Sequence, residues 1–451
     1  MSIQNIDQIL DLVQYALEQE DLDQAIRYLS TLKSPDQADI FEELEEDEQA
    51  VLLQHLSPED SADILEDMED EEAAELADAL PLEKLARIID EMEPDEAADL
   101  LGDVSPEKAR YLLTRLEDAA EIRPLLIHPD DSAGGLMTSE FLVLLEDMTC
   151  AEALTTIRYW NPEQDDISYF FVADEERHLR GVVSLLRLVS CSPTVRVGSI
   201  MDRDVISIRA GADQEEAARL MSRYDLLALP VVNERNVIVG VITVDDVLDV
   251  LEEEATEDIQ RLGGAEPLDQ PYLLTSAWEL FRKRIGWLML LFVTGSLTGT
   301  VLRIFEEDLS RVVSLSIFIP LLIGTGGNAG SQTTNTIIRA LAVGDIDLKD
   351  AFLTLWHEVR VGVLIGVGMG IFGYIRAIMW HVPPEVAFTV AIAIFAVVVW
   401  ATSMGSILPV VATALKIDPT VVSGPVMSTL VDATGLLIYF TIARMVVLRG
   451  M

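Results

Sequence analysis

One aspartate, Asp432, lies within a long apolar segment, residues 419–443, that carries no other charge. A carboxylate in the hydrocarbon layer of a membrane costs at least ~2.5 kcal/mol, so this side chain is expected to face a wet interior or a partner cation. Counted from Pro419, it lies ~20 Å along a helix, close to the bilayer midplane. No Arg, Lys or His lies mid-span to pair with it, which favours a mobile cation. A protonated Asp bonded to a neighbouring helix is the alternative.

A second polar stretch interrupts another apolar segment: residues 324–335 read Gly-Thr-Gly-Gly-Asn-Ala-Gly-Ser-Gln-Thr-Thr-Asn. Lipid cannot form hydrogen bonds with these polar groups. We therefore expect the glycines to interrupt the helix, so that the backbone lines a water-filled path and its free carbonyls point towards a cation. Close helix packing through small residues is the alternative. Pro425 predicts a local kink about two turns before Asp432. The candidate pathway residues are Gly327, Asn328, Gln332, Asp432 and Thr434.

The chemistry of these positions suits a hard cation. They offer a carboxylate, carbonyls and hydroxyls but no thiolate or imidazole, and such oxygen ligands are those that magnesium prefers. Magnesium loses its coordinated water reluctantly, so a wide site would bind the hydrated ion through hydrogen bonds to its water ligands. Sodium or proton coupling remains open on this chemistry.

Five segments are long and apolar enough to cross a bilayer as helices, since about 20 apolar residues suffice. They cover approximately residues 285–302, 312–338, 360–380, 386–415 and 419–443. The sequence shows no basic region before an apolar run at its start, so we expect no cleaved signal peptide. The long segment before the first span is therefore expected to stay in the cytoplasm, and an odd number of spans then places the C-terminus outside.

Charge divides the chain into two parts. Residues 1–270 hold 66 acidic and 19 basic side chains, whereas residues 271–451 hold 11 and 12. The strong negative charge of residues 1–270 disfavours nucleic acid and anionic lipid headgroups as binding partners and favours cations. The two cysteines, Cys150 and Cys191, are too few for a disulfide scaffold or a four-thiolate zinc site.

An internal repeat runs through residues 34–115, within an acidic region that extends to residue 131. Alanines recur every twelve positions, and Ser-Pro pairs separate the repeats as helix starts. We expect short helices that bury a common seam by stacking into a superhelix. This region holds 39 acidic and 8 basic side chains, so divalent cations would change its compactness; a merely solvated acidic face is the alternative. The repeated alanines are Ala38, Ala50, Ala62, Ala74, Ala86 and Ala98.

Residues 138–255 predict two tandem βαββα units, an arrangement that resembles a pair of CBS modules. The resemblance implies an adenine-nucleotide cleft in the second module, where Thr243 and Asp246 would contact ligand hydroxyls. Arg187 occupies the position of that Asp in the first module. A purely structural pair is the alternative.

A long acidic helix is expected from Asp245 to Gln270, between these modules and the first span. Glu254, Glu257 and Asp258 share one face of it by their spacing, so they repel one another without cations and can be bridged with them. Its position before the membrane segments favours a role in gating. An ordinary solvated linker helix is the alternative.

The whole chain resembles the MgtE family of magnesium channels or transporters. The motifs that carry this resemblance are Ser-Ala-Gly-Gly-Leu-Met-Thr at 132–138, Gly-Gly-Asn-Ala-Gly-Ser-Gln at 326–332 and Asp-Ala-Thr-Gly at 432–435. It implies a multidomain chain: an all-α acidic superhelical N-domain (1–131), an α+β tandem CBS pair (132–250), a connecting or plug helix (251–275) and a five-helix α transmembrane domain (276–451).

The resemblance also implies a homodimer in the plasma membrane. Its pore would be lined by the second and fifth spans, with Asp432 of each subunit around a hydrated magnesium ion. Regulatory magnesium would bind between the cytosolic parts, and ATP or another adenine nucleotide would bind the CBS pair. The implied regulatory ligands are Asp63, Asp95, Asp99, Glu215, Asp225, Asp246, Asp249, Glu254, Glu257 and Asp258.

Two other functions compete with magnesium transport. One is a non-transporting membrane-anchored sensor of divalent cations or nucleotides, and the other is a carrier of broader divalent specificity or with sodium coupling. No enzyme is expected, because the five histidines are scattered and no nucleophile motif or phosphate-binding loop occurs.

Overall fold

The computed structural model describes residues 3–68, 70–117, 119–160, 169–268, 272, 275–422 and 424–447. The chain forms two compact units, Met1–Glu253 and Glu254–Met451.

The first unit begins with a ladder of short helices, as the repeat predicts. Alternate helices contact each other, α3 with α5 and α4 with α6, and five of the six repeated alanines are buried along the seam. At Ser57-Pro58, the Ser57 hydroxyl caps its helix by accepting from the Asp60 amide at 3.0 Å. The helices are α1 (Ile3–Glu18), α2 (Leu22–Leu29), α3 (Ser34–Glu42), α4 (Glu46–His55), α5 (Pro58–Glu66), α6 (Asp70–Ala79), α7 (Leu82–Ile89), α8 (Pro94–Asp103), α9 (Pro106–Leu112) and α10 (Ala119–Ile122), followed by a 3-10 turn, Leu125–Ile127.

Two three-stranded sheets follow, each in the βαββα order that the sequence predicts. In both, the first two strands pair in parallel and the last two in antiparallel orientation. The first strand of the second module covers only Ile208–Arg209. The elements are β1 (Val143–Leu145), α11 (Cys150–Trp160), β2 (Tyr169–Ala173), β3 (Leu179–Ser184), α12 (Leu185–Ser190), α13 (Val197–Ile200), β4 (Ile208–Arg209), α14 (Gln214–Tyr224), β5 (Ala228–Val232) and β6 (Ile238–Thr243).

The helical ladder packs on the second of these modules, because buried side chains from both form one continuous apolar core. The first module has its own smaller core. Cys150 and Cys191 form a disulfide there, which links the start of α11 to the end of α12.

The connecting helix differs from its expected extent. Helix α15 runs from Val244 to Leu262, so it starts within the second module and ends well before residue 275. The backbone turns at Gly263 and Gly264, and Gly264 has a φ of +75°, a conformation that glycine adopts without steric cost. Residues 269–271, 273 and 274 of the predicted helix lie outside the described residues.

Among the described residues, five helices are long and apolar enough to cross a membrane, as expected. They are α16 (Ala277–Ile304), α18 (Ile319–Ala342), α19 (Ala351–Met379), α20 (Pro384–Ala414) and α21 (Gly424–Val446). Helix α17 (Glu306–Arg311) and 3-10 turns at Val313–Phe318, Leu348–Asp350 and Pro419–Val422 complete the unit. The core of this unit lies among α18, α20 and α21.

The predicted loosening of the second span is wrong. Helix α18 continues through the whole glycine-rich stretch, so its carbonyls are not freed. The glycines instead permit close packing, the alternative considered above: a Cβ on Gly326 would lie 2.6 Å from Val397 of α20 and 2.8 Å from Val431 of α21. Small residues let helix backbones approach within a membrane in this way.

The kink and the depth expected for the last span also need correction. Helix α21 begins at Gly424, after a separate 3-10 turn, so Pro425 lies in its first turn, where proline's missing amide costs no hydrogen bond. Asp432 is therefore ~12 Å from the start of its helix and not ~20 Å.

Candidate cation-binding sites

Asp432 is held on the face of α21 that meets α18. It follows Ser428 by one helical turn, and Ser428 lies against Gly327, where a Cβ would come within 3.2 Å of the serine Oγ. The hydroxyls of Ser331 and Ser428 are 3.2 Å apart, and Ser331 also donates to the Gly424 carbonyl at 3.1 Å. The two helices thus present hydroxyls and a carboxylate in neighbouring turns.

One oxygen of the Asp432 carboxylate has no hydrogen-bond partner among the described residues. Its Oδ1 atom is buried and, within the described part of the chain, accepts no hydrogen bond. A buried polar atom left in this state is unfavourable unless a ligand or water completes it. Asp432 is therefore the strongest candidate ligand for a cation in the membrane unit.

One face of α18 is polar and uncovered. Asn328 and Gln332 are exposed, and Asn335 and Thr336 continue that face by one more turn. These groups lie beside the Gly327 contact with α21. A polar helix face of this length is not stable against lipid, so water or another protein surface must cover it.

Thr434, the remaining predicted pathway residue, is not brought to the same place. Its hydroxyl accepts from the Trp400 Nε1 at 2.9 Å and donates to the Leu430 carbonyl at 2.8 Å. Two residues along a helix correspond to about 200° of rotation, so Thr434 faces α20 while Asp432 faces α18.

A second group of carboxylates lies where the helical ladder meets the second module. Asp95 of α8 is buried, its Oδ1 has no partner among the described residues, and the Asp246 carboxylate of α15 repels it. Asp246 accepts from the Thr243 hydroxyl at 2.5 Å and from its amide at 3.1 Å. Asp99 lies one turn beyond Asp95 and shares this surface, the acidic face.

Burial, with repulsion between neighbouring carboxylates, raises the pKa values on the acidic face. The pKa is about 7 for Glu66, about 8 for Asp99 and about 9 for Glu96. Burial also raises the pKa of Asp246 to about 6, although its hydrogen bonds from Thr243 oppose the shift, and it holds the pKa of Asp95 well above the usual range. The folded protein therefore disfavours ionisation of these carboxyl groups, and without a cation Asp99 and Glu96 keep their protons at neutral pH.

Not every predicted regulatory ligand joins this face. Burial raises the pKa of both Asp63 and Asp249, which are exposed at its margin and are repelled by carboxylates that include Asp67. Glu215 forms an ion pair with Arg219 at 2.7 Å. Asp225 is exposed at the end of α14 in a left-handed conformation, with a φ of 52°.

The acidic face is not a preformed metal cage. In the described ranges, no three His, Cys, Asp or Glu side chains are gathered closely enough to hold a metal ion. The donors are nonetheless carboxylate and hydroxyl oxygens, and Asp95 offers an unused buried oxygen. This set fits a hard cation that keeps part of its water shell.

The connecting helix places Glu254, Glu257 and Asp258 on one face, since α15 is continuous there. Glu257 forms an ion pair with Arg261, and Arg261 also binds Asp418 at 2.7 Å. Asp418 in turn accepts from the Thr420 amide at 2.8 Å, in the turn that precedes α21. The end of the connecting helix is thus tied to the segment that enters the helix of Asp432.

The candidate nucleotide residues occupy equivalent positions in the two modules. Thr243 and Asp246 are hydrogen-bonded at the start of α15. In the first module Ser184 caps α12 by accepting from the Arg187 amide at 3.3 Å, and the Arg187 side chain is exposed.

Comparison with known protein families assigns the helical ladder, the two modules and the membrane helices to separate family models. Residues 319–442 match the MgtE family of divalent cation transporters, residues 11–131 match the MgtE intracellular N domain, and residues 133–193 and 197–253 each match the CBS domain. The magnesium transporter MgtE of Thermus thermophilus is 42% identical over 326 residues, which are 72% of each chain. This chain belongs to the MgtE family.

The MgtE transporter of Bacillus subtilis is 36% identical over the same share of each chain. Among solved structures, the cytosolic domain of the Mg²⁺ channel MgtE in complex with ATP matches 53% of this chain and 99% of its own length, with 37% identity and a TM-score of 0.51. The resemblance inferred from the sequence motifs is therefore confirmed. As an MgtE protein, the chain belongs to a divalent cation transporter family with a helical N domain, a CBS pair and five candidate membrane spans.

Sequence reasoning missed Glu66 and Glu96 of this MgtE chain. Both lie on the acidic face with raised pKa values. A signal for them was present, because Glu66 follows Asp63 by three residues and Glu96 precedes Asp99 by three, and residues at that spacing share a helix face.

Proposed function

We propose that this chain transports magnesium across the plasma membrane. The buried Oδ1 of Asp432, which has no partner in the described part of the chain, carries this proposal, because a charged group inside a membrane segment is costly unless a ligand or partner compensates it. The neighbouring hydroxyls of Ser331 and Ser428 supply further oxygen donors. Such donors suit an ion that passes with much of its water shell.

The active form we propose is a homodimer. In one chain Asn328 and Gln332 are uncovered, and a second copy facing them would enclose a water-filled path between two polar faces. An exposed apolar seam on α15, formed by Leu248, Leu251 and Ile259, supports pairing in the same assembly. Leu251 follows Leu248 by three residues and Ile259 follows Leu251 by eight, and both spacings return to the same side of a helix.

Regulation by cytosolic magnesium follows from the charge on the acidic face. Ions bound there would offset repulsion between the ladder and the second module and favour the compact form, and ions at Glu254, Glu257 and Asp258 would hold the connecting helix. Each ion shifts the balance only by its difference in affinity for the two forms. The relative crystallised as a cytosolic domain supports placing this unit in the cytoplasm, which leaves the C-terminus outside after five spans.

We further propose that the second module binds ATP or another adenine nucleotide through Thr243 and Asp246. A related cytosolic domain was crystallised with ATP. Because Asp246 also faces Asp95, magnesium and nucleotide would both act on this one carboxylate.

Flux through purified protein tests transport directly. Full-length protein in liposomes is expected to admit Mg²⁺, and Asp432→Ala is expected to reduce the flux at least tenfold, because the ion loses its charged ligand. Asp345→Asn removes an exposed carboxylate from the segment between α18 and α19 and should leave the flux unchanged. A dye that reports Mg²⁺ inside the liposomes measures each rate.

The competing functions give different results in the same assay. An absence of flux in the wild type would identify a non-transporting sensor. Equal rates for Mg²⁺, Co²⁺ and Mn²⁺, or a requirement for a sodium gradient, would replace magnesium selectivity by a broader or coupled carrier.

A further inference from the structure

The membrane unit contains a cavity that lies away from Asp432. It has a volume of about 300 Å³, is half open, and lies among α18, α19 and α20. Its walls are apolar except for the Thr325 hydroxyl and the Arg376 side chain. They comprise Leu321 and Thr325 of α18, Met369, Phe372 and Gly373 of α19, and Ile394 of α20.

One charged side chain, Arg376, also lines this cavity. It follows fifteen uncharged residues of α19, from Val361 to Ile375, and so marks the level at which that helix leaves the hydrocarbon layer. Its guanidinium lies 4.5 Å from the centre of the Trp380 ring. Arginine and tryptophan at the end of a span are typical of the headgroup region.

Arg376 has no carboxylate partner within the described part of the chain. A guanidinium is suited to bind phosphate through two parallel hydrogen bonds. The cavity below it is suited to an apolar chain, because most of its lining side chains are apolar. The two features together match one phospholipid, with its phosphate on Arg376 and an acyl chain in the cavity.

We propose that this cavity binds a phospholipid of the surrounding bilayer. The acyl chain would contact Thr325, which precedes Gly326, the glycine that packs α18 on α20 and α21. Thr325 precedes Asn328 by three residues and Gln332 by seven, so all three lie on one side of α18, and the bound lipid would contact α18 next to its polar face. Asp432 does not line this cavity, and the lipid site does not depend on which cation is transported.

Native mass spectrometry of the full-length protein in mild detergent tests the proposal, with dioleoyl phosphatidylglycerol as the probe. Arg376→Gln is expected to weaken binding roughly tenfold, because a charge-assisted contact with phosphate is lost. Thr325→Phe is expected to weaken it similarly by filling the cavity. Arg360→Gln is the matched control: Arg360 lies near the other end of α19 and stacks on Trp356 at 5.2 Å, but does not line this cavity.

Two outcomes would overturn the proposal. Wild-type occupancy in both Arg376→Gln and Thr325→Phe would show that the lipid binds elsewhere. Competition by glycerophosphoglycerol, which has the headgroup but no acyl chains, would reduce the site to a surface phosphate contact. If Thr325→Phe does not fold, Met369→Phe fills the same cavity from α19, and the Arg376→Gln comparison stands without either.

Discussion

Two carboxylate oxygens, Oδ1 of Asp95 and Oδ1 of Asp432, are buried without a hydrogen-bond partner among the described residues. Each costs stability, since a buried unsatisfied polar atom loses its hydration without replacement. A neutral apolar residue would be more stable at either position. Their retention is explained if a cation completes them, one in the membrane unit and one on the acidic face.

Gly324 and Gly326 of α18 differ in how closely other helices pack against them. A Cβ at Gly326 would collide with Val397 and Val431, whereas nothing lies within 4 Å of one at Gly324. Gly326→Val is expected to lower the free energy of unfolding by about 1–3 kcal/mol, as overpacking does. Gly324→Ala should be neutral or slightly stabilising, because alanine is the better helix former.

Thermal unfolding of both variants in the same detergent measures the difference. Equal loss of stability in Gly324→Ala and Gly326→Val would contradict close packing as the role of the glycines.

Among the elements, helix α15 links the two compact units within one continuous helix, since the boundary after Glu253 falls inside it. Its first turn carries Asp246 of the acidic face, and its last turn carries Arg261, which binds Asp418 before α21. The proposed gating rests on this continuity of the helix.

Removal of the charges on one face of α15 tests that coupling. In the variant with Glu254→Gln, Glu257→Gln and Asp258→Asn, repulsion and cation bridging both disappear. Flux into liposomes is expected to persist but to become insensitive to Mg²⁺ on the cytosolic side, with at least a tenfold rise in the half-inhibitory concentration. Exposed Glu252 lies on the same helix, and Glu252→Gln should retain normal inhibition. Unchanged inhibition in the triple variant would contradict the proposal.

At the scale of the whole molecule, the net charge of −46 is concentrated in the first unit. A carboxylate whose pKa is higher in the folded state stabilises the fold at low pH and loses that contribution as pH rises through the folded value. Here the unfolded values are near 4, and the folded values are about 6 for Asp246, about 7 for Glu66, about 8 for Asp99 and about 9 for Glu96.

Without divalent cations, the melting temperature of the first unit is therefore expected to fall between pH 5 and pH 9. Magnesium should flatten this fall at high pH, because it replaces the protons that the carboxylates have lost. Scanning calorimetry of the full-length protein in nanodiscs measures both curves, with a potassium salt of equal ionic strength as the control for screening. A melting temperature that does not change with pH, or that falls equally with magnesium, would refute this account.

The sequence alone determined the order of the parts. Twelve-residue repeats, βαββα alternation and five apolar segments are local patterns, and each depends on a periodicity that neighbouring residues set. Asp432 was also identifiable from sequence, because a charge in an apolar segment is costly wherever the helix packs.

The tertiary structure decided which side chains meet. It packed the glycines of α18 against other helices, turned Thr434 towards Trp400, ended α15 at Leu262, and gathered Glu66 and Glu96 with Asp95 on one face. Contacts between residues distant in the chain depend on helix rotation and on how closely backbones approach. Neither quantity is encoded by local spacing, so burial and charge at these positions became visible only once the helices were packed.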